Sequence, residues 1–134
     1  MKTIMLPTTQ KTEVINITEQ LAGMIADVDE GLALFSVPHT TAALIVCEDD
    51  DELRADIVRA AEEMFAGLRP FQHRRNNNPN AEAHLASALA GTSLTLAVVG
   101  GQLQLGAYQN VLLLEMDGPK TRELRCFVLK GTLF

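Results

Sequence analysis

Apolar and polar positions along this chain alternate between two spacings, and the changes of spacing mark out the elements. Lys2–Leu6 (KTIML) and Thr12–Thr18 (TEVINIT) read as two short strands joined by a Pro-containing turn. In the second, Val14, Asn16 and Thr18 alternate with Glu13, Ile15 and Ile17, so its faces are mixed. Leu21, Met24, Ile25 and Val28 then recur at helical spacing. This predicts a helix with Thr18 as N-cap and Glu19 in the first turn, where an acid suits the helix dipole. Asp29-Glu30-Gly31 stops it. Leu32–Val37 and Ala42–Cys47 are strand-like runs, separated by Pro38-His39-Thr40-Thr41. A longer helical stripe follows through Leu53, Ile57, Ala60, Ala61, Met64 and Phe65, and ends at Gly67.

The second half opens with a polar stretch and then returns to regular spacing. Ala81–Ala90 predicts a short helix, with Asn80 as N-cap, Glu82 in the first turn and Gly91 as its C′ residue. Leu85 and Leu89 are its candidates for the core. Ser93–Val99, Gly100-Gly101 and Gln102–Gly106 read as a β-hairpin around a two-glycine turn. Gln109–Asp117 (QNVLLLEMD) predicts another strand, with Gln109, Val111, Leu113, Glu115 and Asp117 on one face. After Gly118-Pro119, Glu123–Lys130 returns as the last strand.

Composition narrows the class. At 134 residues and 47% hydrophobic, the chain suits one domain, residues 1–134, with a core of its own. Aromatics are scarce at 4%, so that core must be aliphatic. A net charge of −6 argues against a nucleic-acid or anionic-membrane surface, while leaving room for a local basic pocket. With no secretory signal, no membrane-length apolar segment, and both Cys47 and Cys126 inside apolar runs, a reduced cytoplasmic setting is the simplest expectation.

Candidate chemistry concentrates between Phe71 and Gly91 (FQHRRNNNPNAEAHLASALAG). A loop rich in Asn and Pro, flanked by His73 and His84 and delivering a helix start, is a natural place for a site. Arg74 and Arg75 ahead of that helix suggest an anion cradle. The acidic run Glu48–Glu52 reads better as helix capping than as a metal site, Glu48 being the exception to watch. Glu115 and Asp117, two apart on one strand face, do not suit a simple core. His39, His73 and His84 could hold Zn²⁺, although no local ligand spacing such as HExxH connects them. There is no Walker loop and no dinucleotide fingerprint.

Taken in order, His39-Thr40-Thr41-Ala42, Phe71-Gln72-His73, Asn80-Ala81-Glu82-Ala83-His84, Gly91-Thr92-Ser93, Tyr108-Gln109 and Glu115-Met116-Asp117-Gly118-Pro119 resemble the YjbQ family over nearly the whole chain. The resemblance implies an α+β fold: a single-domain sandwich of mixed, largely antiparallel β-sheet with two or three helices. It further implies a homotrimer, with a histidine-lined pocket at or near a subunit interface. The implied activity is that of a secondary thiamine-phosphate synthase, as a main or a side activity, acting on small phosphorylated molecules with a divalent ion, Mg²⁺ or Zn²⁺. On this reading His39, His84, Glu115 and Asp117 are catalytic. Thr40, Thr41, Arg74, Arg75, Asn80 and Gln109 bind substrate, and His39, His73 and His84 hold any metal. The rivals are a metal-dependent hydrolase or lyase on another small phosphorylated or carboxylated molecule, and a non-catalytic binding trimer. Cys47, Tyr108 and Lys120 stand where relatives typically have Asn, Trp and Arg, and Arg74–Asn77 is also unusual, which leaves room for a shifted ligand preference.

Overall fold

The structure is a computed structural model and describes residues 1–73 and 79–132. Two antiparallel sheets curl into a half-barrel. The larger, in the order β1-β8-β3-β5-β6, uses Lys2–Pro7 (β1), Glu30–Ser36 (β3), Ser93–Val99 (β5), Gln102–Leu103 (β6) and Thr121–Lys130 (β8). The smaller, β2-β7-β4, uses Glu13–Asn16 (β2), Ala42–Cys47 (β4) and Asn110–Glu115 (β7). The first two strands are therefore not partners. β1 pairs with β8 and β2 with β7, so the Pro-containing turn carries the chain from one sheet to the other.

β7 explains the layering. All of Val111–Glu115 is buried, because both faces of this central strand are covered. Val111 and Leu113 enter a core with Phe35, Leu124 and Leu21, where the larger sheet and helix α1 (Thr18–Met24) close over the smaller sheet. Leu112 and Leu114 enter a second core on the opposite face, beneath helices α2 (Asp51–Glu63) and α3 (Ala81–Ala90). A strand buried on both sides reads as a continuous apolar run, and VLLL is one.

The helix ends depart from expectation in instructive ways. α1 stops at Met24, and Val28 is buried beyond its end. Thr18 lies inside the helix rather than capping it: its hydroxyl accepts from the Val111 amide at 2.9 Å, while the Asn16 side chain takes the Thr18 amide at 3.0 Å. At α2, Asp50 caps as its type predicts, accepting from the Leu53 amide at 2.8 Å. α3 presses a small-residue face, Ala81, Ala83, Ala86 and Ser87, onto the sheet. Buried Ser87 donates its hydroxyl to the Ala42 carbonyl at 2.7 Å. Leu85 and Leu89, expected in the core, stay 38% and 71% exposed because the close approach uses the alanine side of the helix. The hairpin turn forms where expected, with Gly100 and Gly101 both at positive φ and Val99 facing Gln102, but its second strand is only Gln102–Leu103 rather than Gln102–Gly106. No helix among the described residues is long and apolar enough to cross a membrane.

Candidate functional site

The site is built on a buried ion pair between the last residue of β7 and the second residue of β8. Strand alternation points Arg122, Leu124 and Cys126 inward, which carries the Arg122 guanidinium into the interior. There its Nε donates to Glu115 Oε2 at 2.7 Å and a terminal nitrogen reaches Oε1. That terminal nitrogen also donates to the Thr41 hydroxyl at 2.8 Å. Glu115 Oε2 takes a further bond from Thr8 Oγ1, and Oε1 accepts the Met116 and Asp117 amides, all three at 2.9 Å. Burial pushes the Glu115 carboxyl up, but the hydrogen bonds from Arg122, Asp117 and Thr8 outweigh it and hold it below its usual range. Glu115 is wholly buried and both its oxygens are engaged.

This anchor sets the turn after β7. Gly118 passes so close to the first loop that a Cβ there would lie 2.2 Å from the Gln10 carbonyl oxygen, and 2.9 Å from Thr8 Oγ1. Glycine is required by that approach. Asp117 emerges half-buried, accepting from Asn80 Nδ2 at 3.0 Å and Lys120 Nζ at 2.9 Å. Burial raises its carboxyl, and the Asn80 and Lys120 bonds more than reverse the effect, so Asp117 sits below the usual carboxylate range. Asn80 is thereby drawn away from the capping role expected of it and makes no side-chain cap bond to α3. Its Oδ1 lies 3.1 Å from His73 Nε2 instead. His73 in turn meets His84 edge-on, with ring centroids 4.9 Å apart.

On the other side of the anchor, His39 follows β3 and Thr41 precedes β4. The Glu123 amide donates to His39 Nε2 at 2.8 Å. Burial, and then the Arg122 charge, hold the His39 ring below its ordinary pKa. His39 and His84 share the wall of an open cavity of about 350 Å³ with Thr40, Ser87 and Thr92. A second cavity, about 260 Å³, lies at the start of α3 between Lys11, Arg69, Glu62 and Asn80.

The chain therefore gathers His39, Thr40, His73, Asn80, His84 and Asp117 around one region. Thr41 and Glu115 belong to its buried support and are occupied by Arg122. Gln109 lies elsewhere. Its side chain accepts the Gly106 amide at 2.7 Å ahead of β7, whereas Glu115 ends that strand, roughly 20 Å away at about 3.3 Å per residue. Arg74 and Arg75 lie outside the described residues. Among those described, no group of three or more His, Cys, Asp and Glu side chains is placed to hold a metal ion. The expected His39–His73–His84 centre is thus not assembled within the chain, and His39 Nε2 is already engaged by a backbone N–H. Nor is the acidic run such a centre: Asp50 caps α2, and Asp49 pairs with Arg54.

Sequence reasoning missed Arg122, and with it Thr8. A signal was available. Extending the period of two backwards from Leu124, Cys126 and Val128 places Arg122 on the apolar face, and an arginine there demands a buried partner.

A profile described as UPF0047 protein YjbQ-like matches residues 2–131. The chain belongs to the YjbQ family. A UPF0047 protein of Archaeoglobus fulgidus is 39% identical over 89% of this chain and 93% of its own length. The UPF0047 protein YugU of Bacillus subtilis is 32% identical, with 96% of each chain covered. Among solved structures, a hypothetical protein from Aeropyrum pernix superposes with a TM-score of 0.90 at 33% identity, covering 97% of this chain and 98% of that one. A YjbQ/UPF0047 protein of Clostridium acetobutylicum gives 0.88 at 26% identity, covering 96% of this chain and 100% of that one. The α+β half-barrel is thus a YjbQ-family fold.

Proposed function

We propose that this protein is a transferase of the secondary thiamine-phosphate synthase type, working in the His39–His84 cavity. The observation that carries the reading is the line His84–His73–Asn80–Asp117, which links the cavity wall to an ionised carboxylate. In the reaction, the bond from the pyrimidine methylene carbon to the diphosphate oxygen breaks, and its electron pair leaves with pyrophosphate. The thiazole nitrogen lone pair forms the new C–N bond. The step calls for negative charge near a developing carbocation and for donors at the departing oxygens. Asp117, which stands behind the cavity wall, supplies the first along the line through Asn80, His73 and His84. His84 and the Thr40 hydroxyl, both on the cavity wall, supply the second. A Mg²⁺ ion enters with the diphosphate as part of the substrate. Glu115 and Thr41 act by holding the turn after β7 and the start of β4 in place.

The same reading includes a homotrimer. On the outer face of the larger sheet, Leu34 stands opposite Phe127 and Leu32 opposite Leu129, all four exposed. Such a patch suits burial between copies. Phe127→Glu is expected to convert a trimer to monomers in sedimentation equilibrium, and wild-type sedimentation as a monomer refutes the trimer.

The activity is tested by thiamine phosphate formation from the two phosphorylated halves with Mg²⁺, wild type against His84→Ala. Product that disappears in the variant supports the reading. No product from either protein, with folding intact, refutes it.

A further inference from the structure

We propose that His39 is fixed as the neutral imidazole with its proton on Nδ1, and that it serves the cavity as a hydrogen-bond donor to an oxyanion of the ligand. The identity of the cavity as the ligand site rests on the reading above; the tautomer does not. The Glu123 amide donates to His39 Nε2 at 2.8 Å. A backbone N–H has no acceptor face and does not lose its proton at ordinary pH, so the nitrogen opposite it must carry a lone pair. A neutral imidazole has one donor and one acceptor, and with Nε2 accepting, the proton belongs to Nδ1. Protonating the ring would set two N–H groups head to head.

The surroundings act in the same sense. Burial, the largest influence, and Arg122 both disfavour the imidazolium. Glu123 and Glu115 favour it, and Arg125 opposes it. Across the cavity stands His84 of α3. Burial comes first among these influences, and the Glu123 amide adds a geometric one in the same direction.

Two consequences follow for the chemistry. Nε2 is unavailable as a metal ligand or as a base, so His39 and His84 are not interchangeable. Nδ1–H has no hydrogen-bond partner among the described residues and is a donor. Thr40 and Thr92 add hydroxyls to the wall, Ser87 has committed its own hydroxyl proton to Ala42, and no carboxylate among the described residues lines the cavity. A wall of donors without carboxylates suits a phosphoryl or carboxylate oxygen.

The test is a long-range ¹H–¹⁵N spectrum of the free wild-type protein, whose three histidines are assigned by single His→Gln variants. His39 is expected to show a pyridine-type Nε2 and a pyrrole-type Nδ1 at neutral pH. A protonated Nε2 at neutral pH, as tautomer or imidazolium, overturns the assignment. Titration with inorganic phosphate, and in parallel with acetate, is expected to move His39 Nδ1 saturably. Phosphate alone acting identifies a phosphoryl group, and acetate alone a carboxylate. A signal that neither anion moves overturns the donor role. These readouts need no substrate, so they stand or fall separately from thiamine phosphate formation.

Discussion

The two ends of β7 each carry an arginine–carboxylate pair, and they differ in almost everything except chemistry. Near Asn110, where the strand begins, Arg54 grips Asp49 and also reaches the Val14 carbonyl, while Asn16 bridges Asp49 to Asn110. Arg54 keeps 36% of its side chain exposed and Asp49 13%, and the two lie five residues apart. At the other end, Arg122 and Glu115 retain 3% and 0%. Their hydrogen bonds tie the consecutive strands β7 and β8 to Thr8 and Thr41, 107 residues from Glu115 and 81 from Arg122 respectively. The first pair fastens the start of a helix and is screened by water. The second is an enclosed charge whose geometry passes directly into Asp117 and His39. Identical functional groups thus take on different duties according to solvent access and the number of segments they join.

Breaking the buried pair should have the largest effect. Arg122→Met leaves the Glu115 carboxylate enclosed without its partner and is expected to cost about 3–5 kcal/mol in urea unfolding. Adding Glu115→Gln to that variant should recover part of the loss. A second variant by itself that costs as much as the first would show that packing, rather than charge, is the issue.

Next is Gly118→Ala, which forces the turn away from the Gln10 carbonyl and Thr8. Destabilisation of about 1–3 kcal/mol is expected, in the range of other overpacking substitutions, together with loss of the Asp117 position and hence of product formation. Unchanged stability would show that the turn after β7 yields freely.

The pH dependence should separate the ends more finely. Glu115 has a folded pKa below its ordinary value, so its contribution is present above the unfolded pKa and is lost as pH falls through the folded one. Asp49 behaves in the same direction, through its Arg54 bond. Glu115→Gln should therefore flatten the loss of stability below about pH 4.5 more than Asp49→Asn does. An equal flattening would place the two carboxylates on the same footing.

The smallest effect is expected from Arg54→Met, at about 1 kcal/mol or less, with thiamine phosphate formation unchanged. Reduced product from this variant would connect the two ends of β7 after all.

Much of the local architecture was legible beforehand. Ala42–Cys47 and Ala81–Ala90 form over the residues expected, and the two-glycine hairpin closes where Gly100 and Gly101 allow positive φ. These depend on side-chain period and on backbone freedom, which neighbours in sequence determine. Six of the polar residues singled out do gather. What was not legible is how each is used. Asn80 has the side chain of a helix cap, yet Asp117 and His73 claim it. Leu85 and Leu89 have the side chains of a core, yet the alanines of α3 lie closer to the sheet. Gln109 was expected on one strand face with Glu115, yet it lies ahead of β7, a strand's length away.

By itself the sequence determined the strands, the helices, the family and the polar residues available for chemistry, because period, turn residues and ordered motifs are properties of the chain. Only the tertiary structure decided that Arg122 would meet Glu115, that Thr8 would complete their bonds, and that the Glu123 amide would face His39. Those pairings join segments up to about a hundred residues apart. Their strength comes from the exclusion of water, which no local pattern records.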